Sequence, residues 1–168
     1  MKLNLAGMKQ VVGSVIEFDF EQPTLNLDLG KDEILSIGPV RVKGQAENLG
    51  DRIYQVTGQI EVAAKVLCSR CLAATPLNLN ISFSLKFSDA VSDSEDEDII
   101  QFHGDEIDLY PKVLEEILLN WPSQILCKID CKGLCPKCGA NLNTHPCKCD
   151  VDDVDPRLAV LKQLLKSD

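Results

Sequence analysis

The first half of the chain alternates apolar and polar residues, which is the pattern of strands with one buried face. The alternation runs through residues 12–21, 37–50, 52–68 and 75–88. Between the second and third segments, NLGD supplies the Asn, Gly and Asp that favour a hairpin turn. We therefore predict an antiparallel meander that forms a partly curled sheet.

The apolar spacing changes to three and four residues after position 105, which indicates an amphipathic helix over 109–121. Asp108 is placed to cap this helix and Pro122 to end it. We expect the helix to lie across one face of the sheet. Trp121, the single tryptophan, is expected to plug the helix end into the core, and the alternative is an exposed surface for base stacking.

A second, shorter helix is predicted over residues 155–166, where Asp155 supplies a cap and Pro156 occupies the first turn. Its apolar stripe should dock on the rest of the protein, because a helix of this length is marginal alone. The predicted fold class is α+β: a curled antiparallel β-sheet packed by a helix, with a C-terminal Cys-rich zinc knuckle and a short terminal helix. We place the domain boundary between residues 1–126 and 127–168.

Charge is distributed unevenly along the chain. The net charge is −9, and the segment from Asp89 to Asp108 carries nine carboxylates with no Lys or Arg, so the remainder is about neutral. We interpret this acidic run as a solvated loop that favours solubility. The alternative is a docking segment for a basic partner such as a ribosomal protein.

The eight cysteines form four closely spaced pairs, which is the number of sulfur ligands that two tetrahedral metal sites need. In sequence order they are Cys68, Cys71, Cys127, Cys131, Cys135, Cys138, Cys147 and Cys149. Zinc is the favoured interpretation, ahead of disulfides, unliganded thiols and an iron–sulfur cluster, because the chain shows no export signal and cytosolic cysteines are rarely structural disulfides. We predict two structural zinc ions.

Two groupings of these cysteines are plausible. In the favoured one, Cys135, Cys138, Cys147 and Cys149 form a tail cluster, because only a short loop separates the two pairs. The other four, Cys68, Cys71, Cys127 and Cys131, then form a clamp cluster that fastens a strand turn to the segment after the helix. The competing grouping joins residues 127–138 in one site and pairs CSRC with CKC. His103 and His145 are weaker candidates, since eight cysteines already suffice.

The sequence offers little support for an enzyme. CKGLCPKC has the cysteine spacing of radical S-adenosylmethionine enzymes, but too few residues follow it for their barrel. CSRC lies between two predicted strands, unlike a thioredoxin-type motif that opens a helix. No phosphate-binding glycine loop or nucleophile–histidine arrangement is present, and we expect neither a catalytic residue nor a small-molecule substrate. No apolar run is long enough to span a membrane, so we expect a cytoplasmic protein.

Several motifs in order resemble the bacterial YceD family of large ribosomal RNA subunit accumulation proteins. They are LCSRCL, an acidic loop, GDEIDLYPKVLEEILLNWP, CKGLCPKCGANLN, CKC and DPRLAVLKQLL, from about residue 67 to 165. The resemblance implies a non-enzymatic role in 23S ribosomal RNA accumulation and large ribosomal subunit biogenesis.

Two modes of action fit that expectation. In the first, the protein binds 23S ribosomal RNA or a large-subunit assembly intermediate through the lysines around the cysteines: Lys128, Lys132, Lys137 and Lys148. Two four-thiolate zinc sites would nearly cancel the charge of these lysines, which weakens this mode. In the second, the acidic loop holds a basic ribosomal protein and acts on the RNA indirectly.

Overall fold

In the part of the chain that the structure describes, the protein folds into a curled, open sheet with one short helix and two cysteine clusters. The computed structural model describes residues 1–23, 34–90 and 99–149. Its elements, in chain order, are β1 (Lys2–Asn4), β2 (Val15–Gln22), β3 (Ile34–Gly50), β4 (Ile53–Leu67), β5 (Ala74–Ser88), β6 (Ile99–Gln101), β7 (Glu106–Asp108) and α1 (Tyr110–Leu119).

The predicted meander is confirmed. Strands β2, β3, β4 and β5 are neighbours in sequence order, and each pair is antiparallel. The short strand β6 then adds parallel to β5, so the sheet is mixed, and β1 pairs with β7 in a separate two-stranded sheet. Alternation did not reveal β1, β6 or β7, because three residues are too few to show a period of two.

The turn between β3 and β4 lies where NLGD predicted it. Gly50 pairs with Ile53, and the two residues between them, Asp51 and Arg52, both have positive φ angles of 50° and 61°. Two consecutive left-handed residues produce the backbone twist that a tight hairpin requires. The buried Asn48 side chain supports this turn, because its Nδ2 donates to the Met8 carbonyl at 2.7 Å and its Oδ1 accepts from the Gly50 N–H at 2.9 Å.

Two facing glycines lie where β3 and β4 approach each other closely. Gly44 on β3 pairs with Gly58 on β4, and the rings of Phe18 and Phe83 lie over them from the neighbouring strands. A Cβ atom at Gly44 would collide with the Thr57 carbonyl oxygen. The close approach of the two backbones therefore requires glycine at this point, as is common where a sheet bends sharply.

The helix packs on the core as expected, with Val113 and Ile117 buried among the strand residues. It begins one residue later than the predicted cap, because Leu109 is the N-cap, while Asp108 Oδ1 accepts the Tyr110 N–H at 3.0 Å. Trp121 is partly buried against the same core, in agreement with its predicted role as a plug.

Two further predictions concern the terminal helix and the domain boundary. The predicted helix over 155–166 lies outside the described residues, and the boundary at residue 126 stays a prediction. Among the described residues, no helix combines the length and apolar character needed to cross a bilayer.

Candidate metal centres

The eight cysteines come together as two groups of four, and the grouping is the favoured one. The clamp cluster contains Cys68, Cys71, Cys127 and Cys131, and the tail cluster contains Cys135, Cys138, Cys147 and Cys149. In each cluster the four sulfur atoms lie within 4.8 Å of one another. The competing arrangement, which joined CSRC to CKC, is not the one that the structure shows.

The clamp cluster joins the β4–β5 turn to the segment that follows the helix. Cys68 Sγ lies 3.8 Å from Cys131 Sγ, and Cys71 Sγ lies 3.6 Å from Cys127 Sγ. Three of these side chains are buried and only Cys127 is exposed. Backbone contacts hold the two segments together, since Ser69 N donates to the Ile125 carbonyl at 2.8 Å and Ser69 Oγ accepts from Ile125 N at 3.0 Å.

The tail cluster is more open. Cys135 is buried, but Cys138 is exposed and both Cys147 and Cys149 are half-buried. The CPKCG turn is closed by Gly139 N, which donates to the Cys135 carbonyl at 2.8 Å with the glycine at φ 71°. This positive φ angle explains the glycine after the second cysteine.

In each cluster, the pKa of one cysteine is strongly lowered and the pKa of another is strongly raised. In the tail cluster, backbone N–H groups of Cys138 and Lys137 donate to the Cys135 sulfur and lower its pKa to about 6. In the clamp cluster, burial opposes ionisation of Cys68, but N–H groups of Arg70, Cys127 and Cys71 together bring its pKa to about 6. Each cluster is thus built to hold negative charge on sulfur.

The opposite shift occurs at one thiol in each cluster. The neighbouring Cys71 sulfur raises the pKa of Cys127 to about 12, and the Cys138 sulfur does the same for Cys149, with burial adding to both shifts. Four adjacent thiolates repel one another strongly, so a cation is needed before all four can ionise.

The donor set fits a tetrahedral zinc ion. Zn–S bonds of about 2.3 Å in a tetrahedron require sulfur–sulfur separations of about 3.8 Å. The separations of 3.6 and 3.8 Å in the clamp cluster match this value, and all eight cysteines are free of disulfide bonds. The eight sulfurs could therefore hold two metal ions, one in each cluster.

A further set of hydrogen bonds connects the two clusters. Leu134 N donates to the Arg70 carbonyl at 3.1 Å, and Arg70 Nη1 donates to the Cys131 carbonyl at 3.0 Å. The Asn143 side chain, which belongs to the loop of the tail cluster, donates to Cys131 Sγ of the clamp cluster at 3.4 Å. Sequence reasoning missed Asn143, because an asparagine in a loop carries no spacing signal.

The four lysines predicted to contact RNA are all exposed. Lys128 and Lys132 adjoin ligands of the clamp cluster, while Lys137 and Lys148 each lie between two ligands of the tail cluster. Lys128 Nζ is 3.9 Å from the Asp130 carboxylate, a loose and exposed pair. The sequence places these lysines correctly on the surface, and their role in RNA binding stays a prediction.

The two histidines named as substitute ligands belong to neither cluster. His145 Nδ1 lies 2.9 Å from Thr144 Oγ1, and His103 Nδ1 lies 2.9 Å from the Phe102 carbonyl oxygen.

The described part of the acidic run differs from a solvated loop, because several of its carboxylates are paired. Asp89 and Asp105 each lie 2.9 Å from Lys9 Nζ, and Asp89 also accepts from Arg52 Nε at 2.9 Å. The Met1 amine lies 3.3 Å from Asp108. Residues 91–98, which carry the other five carboxylates, lie outside the described residues.

Comparisons with known proteins agree with the motif order. A family model described as "Large ribosomal RNA subunit accumulation protein YceD" matches residues 56–165, which include both clusters. YlbN of Bacillus subtilis is 35% identical over the whole chain and 98% of its own length. A protein of Mycobacterium leprae is 29% identical over 74% of the chain and 62% of its own length.

A plant protein gives a shorter match. The Arabidopsis thaliana "Large ribosomal RNA subunit accumulation protein YCED homolog 1, chloroplastic" is 38% identical over 50 residues, which is 30% of the chain and 16% of the relative. No solved structure matches the chain significantly.

Proposed function

The chain belongs to the YceD family, and from this membership we propose that it is a non-enzymatic factor in 23S ribosomal RNA accumulation and large ribosomal subunit biogenesis. The observation that carries the proposal is the family match over residues 56–165, because this range contains both cysteine clusters and the helix that precedes Cys127. We place its action in the cytoplasm, where ribosomes assemble.

Two structural zinc ions are part of this proposal. The clamp cluster and the tail cluster would each hold one ion through four thiolates. A site closed by four sulfur ligands has no position for an activated water, so the zinc would stabilise the fold without acting as a Lewis acid. Metal analysis should find about two zinc ions per chain, and a metal-free, reduced and fully folded protein would contradict this part of the proposal.

The surface around the clusters supports direct contact with RNA. Four exposed lysines lie within residues 127–149, the stretch of chain that also carries six of the eight cysteines, and lysines are suited to phosphate contacts. The negative charge of two four-thiolate zinc sites opposes them, but N–H groups donate to Cys68 and Cys135 and spread that charge into the backbone. We therefore propose moderate, strongly salt-dependent affinity for ribosomal RNA.

The adaptor alternative has less support among the described residues. Asp89 is paired with Lys9 and Arg52, so it is not a free carboxylate for a basic partner. Only Asp93, Glu95, Asp96, Glu97 and Asp98, outside the described residues, remain as candidates for capture.

The test is binding of 23S ribosomal RNA fragments as a function of salt. Lys132→Glu combined with Lys148→Glu should weaken binding and reduce the slope of log affinity against log salt by about one for each lysine. Lys65→Glu is the matched control, since this exposed lysine lies on β4 in the sheet and should leave binding unchanged.

Unchanged RNA binding in the double variant would refute the proposal that these lysines contact RNA directly. If neutralising residues 93–98 abolishes capture of a ribosomal protein while RNA binding stays absent, the adaptor mode replaces it.

A further inference from the structure

One side chain connects a loop of the tail cluster to a ligand of the clamp cluster. Asn143 lies in sequence between Cys138 and Cys147, two cysteines of the tail cluster. Its Nδ2 nevertheless donates to Cys131 Sγ at 3.4 Å, and Cys131 belongs to the clamp cluster. A group positioned by one cluster thus contacts a sulfur of the other.

The amide of Asn143 is fixed in one orientation. Its Oδ1 accepts the Lys132 backbone N–H at 3.0 Å, so Nδ2 must face the other way. Nδ2 also donates to Asn141 Oδ1 at 2.9 Å, and the same Oδ1 accepts the Asn143 backbone N–H at 3.0 Å. Because one end of the side chain accepts and the other donates, neither a carboxylate nor an aliphatic group can reproduce the set of contacts.

The loop itself is shaped by the tail cluster. Its two ends are Cys138 and Cys147, whose sulfurs converge within the same group of four. Leu142 N also donates to the Gly133 carbonyl at 3.0 Å, which keeps the loop against the segment that leaves the clamp cluster. Release of the tail cluster's ligands would free both loop ends and loosen the position of Asn143.

We propose that Asn143 couples the two metal centres, so that metal in the tail cluster raises the affinity of the clamp cluster for its own metal. The proposal rests on the zinc binding proposed above. An N–H group that donates to a ligating sulfur orients it and stabilises its negative charge. If the tail cluster already holds its metal, Asn143 is ordered before the clamp cluster binds its own. By thermodynamic reciprocity, metal in the clamp cluster must raise the metal affinity of the tail cluster by the same factor.

The test is a double-mutant cycle on the full-length protein. Zinc affinity of the clamp cluster is measured by competition with a chromophoric chelator, with cadmium NMR to show which cluster is loaded. Asn143→Ala should weaken the clamp cluster by roughly 10–100-fold. The tail-cluster variant Cys138→Ser with Cys149→Ser should weaken it by a comparable factor, and adding Asn143→Ala to that variant should have little further effect.

Two variants separate coupling from packing. Asn143→Asp keeps the size of the side chain and the acceptor for Lys132 N–H, but it places a carboxylate beside the Cys131 sulfur. It should therefore weaken the clamp cluster at least as much as Asn143→Ala, whereas a role limited to accepting the Lys132 N–H predicts rescue. Thr144→Ala is the control, because this exposed neighbour bonds only Asn141 O and His145 and contacts no sulfur.

Additive effects in the cycle, or unchanged clamp affinity in Asn143→Ala, would overturn the coupling and leave the zinc sites standing. Absence of metal from the unmodified protein would overturn both proposals. Far-ultraviolet circular dichroism of each variant checks that the sheet is folded, and loss of affinity with an intact sheet is the expected result.

Discussion

The two ends of the β4–β5 hairpin are fastened by different chemistry. At the turn, Cys68 and Cys71 meet cysteines that follow the helix. At the open end, Asp89 follows β5 and pairs with Arg52, next to the start of β4, and with Lys9 near the amino terminus. Both ends tie remote segments to the same two strands, but one uses sulfur and the other uses charge. They should therefore respond to different agents.

The charged end is well organised for an ion-pair network. Lys9 Nζ donates to the Gly104 carbonyl at 2.6 Å and lies 2.9 Å from each of two carboxylates, with the Phe102 ring centroid 5.4 Å away. Hydrogen bonds from Arg52 and Lys9 lower the pKa of Asp89 against the opposing effect of burial. The Asp89 side chain is only 10% exposed, so screening by water is limited.

Removal of one sulfur from the clamp cluster should have the largest effect. Cys68→Ser should destabilise the zinc-loaded protein by about 4 kcal/mol or more, because a lost structural metal is among the most severe single changes. Cys138→Ser, at an exposed position of the tail cluster, should lower the free energy of unfolding of the sheet much less. Denaturant unfolding followed by sheet circular dichroism measures both. Equal losses would contradict the special role of the clamp cluster in holding the sheet.

A glycine pair tests the backbone around the sulfurs. Gly133 has φ 76°, and a Cβ there would lie 3.1 Å from the Arg70 carbonyl, whereas Gly139 has φ 71° with open space around it. Gly139→Ala should cost about 1–2 kcal/mol from the left-handed backbone alone. Gly133→Ala should cost more, since it also crowds the clamp turn. Thermal unfolding of the zinc-loaded variants measures the difference, and the reverse order would exclude this crowding.

At the charged end, Asp89→Asn should cost about 1–3 kcal/mol, because it leaves Lys9 and Arg52 without their shared carboxylate. The loss should shrink in high salt, while a chelator should leave it unchanged. Asp19→Asn is the control: its pair with Arg41 is about half exposed and should contribute much less to stability than the Asp89 pairs. Urea unfolding at low and high salt measures both variants. A salt-independent loss would indicate packing instead of charge.

Acid gives the smallest effect. Folding lowers the pKa of Asp89, so the ionised Asp89 carboxylate stabilises the fold. This stabilisation is fully present above the pKa that Asp89 has in the unfolded chain, and it is lost as the pH falls through the pKa that Asp89 has in the folded protein. The difference in unfolding free energy between the unmodified protein and Asp89→Asn should therefore narrow in acid. Taking the difference cancels the contribution of the cysteines, which acid also affects. A difference that stays constant to pH 2 would contradict the assignment.

The sequence predicts best what depends on local pattern. The long strands β3, β4 and β5 alternate over many residues, and their meander followed directly. The favoured grouping of the cysteines agrees with the structure, although the sequence alone also left the competing grouping open. Parallel addition of β6 could not be predicted, since three residues carry no register information.

Interactions between residues far apart in the sequence were not predicted. Lys9 is one of two lysines in the first ten residues, and nothing local indicates that it meets Asp89 and Asp105. The acidic run was interpreted from its density alone, and so its paired members were missed. Asn143 escaped for the same reason, because its contact with Cys131 exists only after both clusters form.

The clamp cluster also carries a consequence for the order of folding. Its sulfur contacts join residues 56 and 63 positions apart, whereas the tail cluster lies entirely within residues 135–149. Closing the longer loop costs about 1 kcal/mol more entropy. A chain still growing from the ribosome exposes Cys68 and Cys71 as free thiols until Cys127 and Cys131 have emerged. The clamp cluster can therefore assemble only after translation has passed Cys131, long after strands β4 and β5 have been made.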